Sequence, residues 1–168
     1  LEAMAGLAPA FDANGTVTAA TSSPVTDGAA AVIVASEDYA DRYGLTKLAR
    51  IKSIAVAGLA PELMGMGPVD ASRKALDRAG ISVGDLAVIE LNEAFAVQAM
   101  AVISTLGLPE DNVNIEGGAL ALGHPLGASG ARITGKAAQL LSHSGGKYAL
   151  ATQCIGGGQG IATVLEAT

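Results

Sequence analysis

Aromatic residues, cysteines and positive charges are all scarce in this sequence. Phe, Trp and Tyr make up 3% of the 168 residues, so a core has to be built from Val, Ile, Leu and Ala. Cys154 is the only cysteine, which excludes a disulfide within the chain and fits a reducing compartment. The net charge of −6 argues against a nucleic-acid-binding protein, because such proteins normally carry a basic face.

Long apolar runs and metal-ligand clusters are also missing. No uninterrupted apolar run is long enough to span a bilayer, and no basic region precedes an apolar stretch near the N-terminus. One cysteine and two widely separated histidines give no ligand pair at a usable spacing. We therefore expect a cytoplasmic protein with no metal site, no membrane span and no nucleic-acid partner. The chain begins at Leu1, in mid-pattern, which suggests a fragment of a longer protein.

Glycine, by contrast, is abundant, and residues 117–133 are its richest stretch. His124 lies within this stretch, and Pro125 fixes the backbone directly after it. Ordering so many glycines is costly, which makes sense where a ligand or another backbone comes close. From Ser129 onward the apolar residues recur at helical spacing. The pattern predicts that His124 lies on a loop leading into a helix, a common place to bind an anion or an oxyanion.

The hydrophobic patterning predicts alternating strands and helices. Such alternation indicates a layered α/β domain in which helices cover a mixed, mostly buried sheet. The last two strands are joined by a glycine turn and should pair antiparallel. The predicted strands cover residues 30–34, 48–59, 87–91, 148–152 and 160–166, and the predicted helices cover residues 37–42, 69–79, 94–106 and 129–144, with the third of these helices buried on most sides.

Three candidate functional positions lie after buried strands or beside helix starts. They are Asn92 with Glu93, His124 in its glycine loop, and Cys154. In open α/β sheets, ligands bind at the ends of strands. The three positions could therefore converge on one pocket.

Each of these residues also has a purely structural interpretation. A lone cysteine in an apolar chain is usually a small buried hydrophobe, although three glycines at 156–158 would expose backbone N–H groups beside this one. Asn92 could cap the helix that begins near residue 94, and Glu93 could interact with its dipole. A structural role for a histidine suits His143, at a polar helix end, better than His124. The spacing alone leaves these alternatives open.

Three motifs then carry a specific resemblance. They are Asn-Glu-Ala-Phe-Ala at residues 92–96, the glycine-rich stretch at 117–132, and Cys-Ile-Gly-Gly-Gly-Gln-Gly at 154–160. In this order they resemble the C-terminal half of thiolases, the acetyl-CoA acyltransferase group. The similarity continues through residues 15–18, 27–30 and 64–68 and so covers essentially the whole chain.

The resemblance implies a role for particular residues. Cys154 matches the family's acid/base cysteine, and His124 matches the histidine that activates the nucleophilic cysteine and helps to bind the thioester oxyanion. Asn92 matches the asparagine that holds a water in the same oxyanion hole, and Gly156 offers a backbone N–H to a second one. The positions implied to line the pantetheine tunnel are Ser23, Ala19, Met64 and Phe95. The resemblance implies coenzyme A as a substrate and implies no cofactor.

One element of the family pattern is missing, since the reaction needs a second cysteine as nucleophile. In the family that cysteine lies in the N-terminal half. The resemblance thus divides the chain into residues 1–46, the tail of the loop region and N-terminal half, and residues 47–168, the C-terminal domain. The chain alone should be inactive and should need the N-terminal half as partner. The full-length protein should form a homodimer or homotetramer.

The implied activity is that of a 3-ketoacyl-CoA thiolase of fatty acid β-oxidation, which splits a 3-ketoacyl-CoA with CoA. Residues 21–27 resemble the degradative enzymes more than the biosynthetic ones. A biosynthetic acetyl-CoA C-acetyltransferase is the first alternative, and a non-catalytic CoA-binding or assembly module is the second. A ketoacyl synthase is a poorer match, because its site pairs two histidines with one cysteine.

Overall fold

A computed structural model describes all 168 residues and centres on one four-stranded mixed sheet. The strands are β1 (Arg50–Gly58), β2 (Leu86–Leu91), β3 (Tyr148–Ile155) and β4 (Gln159–Glu166), in the spatial order β1-β4-β3-β2. β4 pairs antiparallel with both β1 and β3, whereas β2 pairs parallel with β3. The predicted layered α/β class and the antiparallel final hairpin are both confirmed.

The chain forms six α-helices. They are α1 (Glu2–Ala5), α2 (Glu37–Arg42), α3 (Gly67–Ala79), α4 (Ala96–Leu106), α5 (Ala119–Leu122) and α6 (Ser129–Ser144). Short 3-10 turns cover Ala19–Thr21, Pro61–Met66, Val83–Asp85 and Glu110–Asn112. None of the helices combines the length and the apolar character needed to cross a bilayer.

The sheet is buried by a helix on each face. Alternation along β3 sends Leu150 to the face covered by α3, and sends Ala149 and Ala151 to the face covered by α6. Ala75 of α3 and Ala137 of α6 are both fully buried against the strands. Alanine at these contacts lets the helix backbones approach the sheet closely, which explains how a core with few aromatic residues packs tightly.

The predicted strand at residues 30–34 is wrong. This segment makes no backbone hydrogen bond, and Ile33 and Val34 are 88% and 73% exposed. A short apolar run becomes a strand only when a neighbouring strand accepts its backbone groups, and none of β1 to β4 pairs with it. The prediction that α4 is buried on most sides also fails, because Val97 and Met100 are 48% and 67% exposed.

Most other boundaries agree with the patterning to within a few residues. Ser36 caps α2, since its hydroxyl oxygen accepts a hydrogen bond from the Tyr39 N–H at 3.2 Å. β3 is three residues longer than predicted, so Cys154 lies near the end of the strand and not after it. α3 begins two residues early, at Gly67.

The start of α3 packs directly against the β3–β4 hairpin at two glycines. A Cβ on Gly160 would overlap the backbone of Gly67, and a Cβ on Gly67 would overlap the backbone of Gln159 and Gly160. Neither obstacle is a flexible side chain that could move aside. The contact of α3 with the hairpin that carries Cys154 therefore requires glycine on both sides.

We predict that Gly160→Ala destabilises the protein by about 3 kcal/mol, because overpacking against fixed backbone forces a shift of the helix or the strand. Chemical denaturation monitored by circular dichroism measures this change. The matched control is Gly84→Ala on the exposed turn Val83–Asp85, where an added Cβ has no close backbone neighbour, and a change within about 0.5 kcal/mol is expected. Equal free energies of unfolding for the two variants would contradict the prediction.

Candidate active site

The parallel pairing of β2 with β3 brings two of the sequence candidates to the same edge of the sheet. The Asn92 N–H donates to the Thr152 carbonyl at 3.0 Å, two residues before Cys154. Asn92 is completely buried and Cys154 is 8% exposed. The carboxyl ends of these two strands thus form one floor, as the sequence predicts.

His124 reaches this floor from the loop between α5 and α6. Its Nε2 lies 3.3 Å from Asn92 Nδ2, and its Nδ1 lies 2.6 Å from Ser129 Oγ at the start of α6. Asn92 does not cap α4, which begins at Ala96 without a side-chain cap. This geometry excludes the capping role of Asn92 and places its amide beside the His124 ring.

Glu93 joins the end of β2 to the glycine-rich stretch. Its Oε1 accepts a hydrogen bond from Asn114 Nδ2 at 2.8 Å, and its Oε2 accepts one from the Leu120 N–H at 3.0 Å. Asn114 also binds the backbone of Leu91 through both its side-chain oxygen and its side-chain nitrogen. Glu93 thus contacts the start of α5 rather than the dipole of α4, and it holds the loop that carries His124 against the sheet.

Cys154 and Gly156 lie close together at the hairpin but differ in their surroundings. Burial raises the pKa of the Cys154 thiol, so the protonated form is favoured near neutral pH. No hydrogen bond joins Cys154 to the His124 ring. Gly156 is exposed in the turn after β3, and its N–H donates to no protein acceptor. The hairpin thus presents a thiol and a backbone donor.

The four predicted substrate-binding residues are placed unequally. Ser23 donates from its N–H and its hydroxyl to the Ala94 carbonyl, at 3.0 and 3.1 Å, and it lines an open cavity of about 330 Å³ together with His124. Phe95 lies beside that segment and packs edge-on against Phe11, with ring centroids 6.0 Å apart. Ala19 and Met64 lie in separate 3-10 turns and do not line this cavity.

A buried carboxyl group lies beside an arginine beneath the site. Glu90 on β2 is 1% exposed, its carboxylate is 4.0 Å from the Arg132 guanidinium, and neither of its oxygens accepts a hydrogen bond. Burial raises the pKa of Glu90 to about 7, although Arg132 opposes the shift. Burial, reinforced by the charge of Arg132, also lowers the pKa of His124. Burial therefore favours the neutral forms of Glu90, His124 and Cys154.

Several residues of this arrangement escape sequence reasoning. Glu90 lies inside an apolar strand pattern, and only its charge within a buried run would indicate it. Asn114 has a left-handed backbone with φ of 48°, which asparagine tolerates better than most residues. Ser129 is visible only as a helix start five residues after His124. No three His, Cys, Asp or Glu side chains lie together in a way that could hold a metal ion.

Family comparisons agree with the motifs. The family model described as "Thiolase, C-terminal domain" matches residues 45–167, and the one described as "Thiolase, N-terminal domain" matches residues 1–38. The chain therefore belongs to the thiolase family.

Individual relatives cover nearly the whole chain. It is 57% identical to a 3-oxoadipyl-CoA/3-oxo-5,6-dehydrosuberyl-CoA thiolase of Escherichia coli K12 and 55% identical to an acetyl-CoA acetyltransferase of Paracoccus denitrificans, over 99% of this chain and 42% of each relative. Among solved structures, an acetyl-CoA acetyltransferase of Bacillus anthracis matches with a TM-score of 0.96 at 44% identity. The human mitochondrial 3-ketoacyl-CoA thiolase in complex with CoA matches with a TM-score of 0.93 at 50% identity. Both matches cover 99% of this chain and 42% of the solved chain, so the chain spans about two-fifths of the length of its relatives.

The raised pKa of Glu90 predicts a stability that falls as the pH rises. Between the ordinary carboxyl pKa of 4.5 and about 7, the folded protein holds a proton on Glu90 that the unfolded chain has released. Over that range the group costs ~3 kcal/mol of stability. Glu90→Gln should remove this cost, so its free energy of unfolding should rise relative to wild type by about that amount between pH 4.5 and 7.5.

Denaturation curves across this pH range check the prediction. Glu62→Gln changes an exposed carboxylate and is the control, with a curve parallel to that of wild type. Parallel curves for Glu90→Gln and wild type would show that Glu90 titrates normally.

Alkylation tests the state of Cys154, because it is the only thiol in the chain. Since burial raises its pKa, iodoacetamide should react with the folded protein more slowly than with the urea-unfolded chain at about pH 8, and the rate should still be rising above the pKa of a free thiol, about 8.5. Mass spectrometry of timed samples gives both rates. A folded rate equal to or above the unfolded one would mean an activated thiolate.

Proposed function

We propose that this chain is the C-terminal part of a 3-ketoacyl-CoA thiolase that uses CoA to split 3-ketoacyl-CoA into a shortened acyl-CoA and acetyl-CoA in fatty acid β-oxidation. The observation that carries the proposal is the 3.3 Å contact between Asn92 and His124 at the strand ends where Cys154 also lies. Relatives named 3-ketoacyl-CoA thiolase, such as that of Vibrio vulnificus at 55% identity, support it.

The proposed chemistry starts outside this chain, at a nucleophilic cysteine in the N-terminal half. His124 Nε2 takes the proton of that thiol, and the sulfur attacks the 3-keto carbon of the substrate. The bond between C2 and C3 then breaks, leaving an acyl-cysteine and the enolate of acetyl-CoA. Cys154 donates its thiol proton to that enolate. CoA finally displaces the acyl group: its thiol proton restores Cys154, and the released cysteine sulfur takes back the proton held on His124.

In this proposal, the groups around the carboxyl ends of β2 and β3 stabilise the oxyanions. His124 and a water on Asn92 bind the thioester oxyanion of the enolate, and the Gly156 N–H binds the oxyanion formed at the acyl-cysteine. The unused N–H of Gly156 and the buried amide of Asn92 support these roles. The burial-favoured thiol form of Cys154 supports proton donation first, which is what cleavage requires and condensation does not.

The substrate would enter beside His124. Ser23 lines the open cavity there and Phe95 flanks it, and we assign both to the pantetheine arm. Ala19 and Met64 belong to the same proposed tunnel, in a part further from His124. Coenzyme A thioesters are thus the proposed ligands.

The proposal also covers the domain division and the assembly of the full-length protein. Residues 47–168 form the C-terminal domain, and residues 1–46 belong with an N-terminal half that covers this chain and supplies the nucleophile. Exposed apolar side chains at Ile33, Val34 and Met100 support such a cover. The full-length protein would be a cytoplasmic homodimer or homotetramer.

Two alternatives have support of their own. A biosynthetic acetyl-CoA C-acetyltransferase is supported by the Paracoccus denitrificans relative and by the Bacillus anthracis structure. A non-catalytic CoA-binding or assembly module is supported by the presence of a single cysteine. The first alternative differs in the preferred length of the acyl chain and in the direction of the reaction. The second differs because no turnover is expected.

Thiolysis assays distinguish these functions. We expect no turnover by this chain alone and turnover by the full-length protein that contains it, with a long-chain 3-ketoacyl-CoA preferred over acetoacetyl-CoA. A preference for acetoacetyl-CoA would favour the biosynthetic alternative, a preference for 3-oxoadipyl-CoA would indicate a carboxylated substrate, and inactivity of both proteins would favour the module. Turnover by the chain alone would refute the two-cysteine mechanism.

His124→Ala in the full-length protein should lower kcat by about 10²- to 10⁴-fold, the usual contribution of a general base. His143→Ala is the matched control, since His143 lies exposed at the end of α6 and should leave kcat unchanged. Equal losses in the two variants would remove His124 from the mechanism.

A further inference from the structure

Both ring nitrogens of His124 have a neighbour, and the two neighbours differ in kind. Nδ1 lies 2.6 Å from Ser129 Oγ, and Nε2 lies 3.3 Å from Asn92 Nδ2. Ser129 and Asn92 are both completely buried, so bulk water does not compete for these two contacts. The ring is therefore fixed by a serine that the proposed chemistry does not use.

Donor and acceptor counting selects one protonation pattern. Ser129 Oγ also lies 3.2 Å from the Pro125 carbonyl, which can only accept, so the hydroxyl proton points to that oxygen. The lone pairs of Ser129 Oγ then accept the hydrogen of Nδ1. Asn92 Nδ2 carries only hydrogens, so it donates to an Nε2 that bears none.

The opposite pattern makes two hydrogens face each other. If the serine donated to Nδ1, an Nε2–H would face the Asn92 N–H, while the Pro125 carbonyl would keep only the N–H donors of Ala128 and Ser129. A doubly protonated ring would face the same conflict. The lowered pKa of His124, caused by burial and then by Arg132, agrees with a neutral ring.

We propose that Ser129 is a positioning residue that holds neutral His124 as its Nδ1–H tautomer and leaves the Nε2 lone pair facing the strand ends. The tautomer itself is independent of the proposed function. Its consequence rests on that function, because only an unprotonated Nε2 can take a proton from a thiol. Ser129, together with Asn92, thus sets which nitrogen can act as the base.

The chain contains a natural comparison pair at the other end of α6. His143 Nδ1 lies 3.2 Å from Ser142 Oγ, but it also lies 2.9 Å from the Gln139 carbonyl. That carbonyl accepts the Nδ1 hydrogen whether or not the serine is present. Removal of the Ser142 hydroxyl should therefore leave the His143 tautomer unchanged.

The experiment is a long-range ¹H–¹⁵N correlation spectrum of this 168-residue chain, with its two histidines, at about pH 8, well above the unperturbed histidine pKa of about 6.5. Protonated and unprotonated ring nitrogens have well-separated ¹⁵N shifts. In wild type we expect a protonated Nδ1 and an unprotonated Nε2 for His124. In Ser129→Ala, the ratio of Nδ1–H to Nε2–H should fall about fivefold, the equivalent of one hydrogen bond.

Two further variants complete the test. Ser129→Thr keeps the hydroxyl and should keep the wild-type tautomer, and Ser142→Ala should leave the tautomers of both histidines unchanged. A wild-type His124 with a protonated Nε2, or a Ser129→Ala protein with an unchanged ratio, would overturn the proposal. The wild-type spectrum alone decides if Ser129→Ala fails to give a folded amide spectrum. None of these readouts depends on turnover, so a failed thiolysis assay would leave the tautomer result standing.

Discussion

The parallel pairing of β2 with β3 is the constraint on which the rest of the site depends. Parallel strands require a long crossover, here from Asn92 to Lys147, and that crossover holds α4, α5, the glycine-rich stretch and α6. The pairing places the buried amide of Asn92 beside β3, which contains Cys154. The same crossover then passes over the strand ends and brings His124 into contact with Asn92. One backbone pairing thus assembles residues that are distant in sequence.

Burial acts on the site in one direction. Glu90, His124 and Cys154 differ in chemistry, but the loss of water favours the uncharged form of each. Any charge that forms at such a place is poorly stabilised by solvent and depends on nearby hydrogen-bond donors. Arg132 is the fixed charge beneath this region, and its pairing with Glu90 weakens as that carboxyl takes up a proton.

Sequence patterning predicted the layers and the motif positions, because alternation along β3 and the helical spacing of α6 are local properties. It failed at residues 30–34, since a strand depends on a partner that an apolar run does not reveal. It left Asn92 undecided between capping and catalysis, and only the fold shows that α4 begins at Ala96 without a side-chain cap. Asn114 and Ser129 were missed, because their roles consist of hydrogen bonds to residues brought near by the fold.

The backbone contact between Gly67 and Gly160 has an evolutionary consequence. Overpacking in a core is often relieved when a neighbour becomes smaller, but here each neighbour is already glycine and the obstacle is main chain. A substitution at one of these glycines therefore cannot be compensated by a smaller residue at the other. We therefore expect both positions to remain glycine when other residues of the chain vary. The contact between α3 and the Cys154 hairpin should change only if the position of α3 also changes.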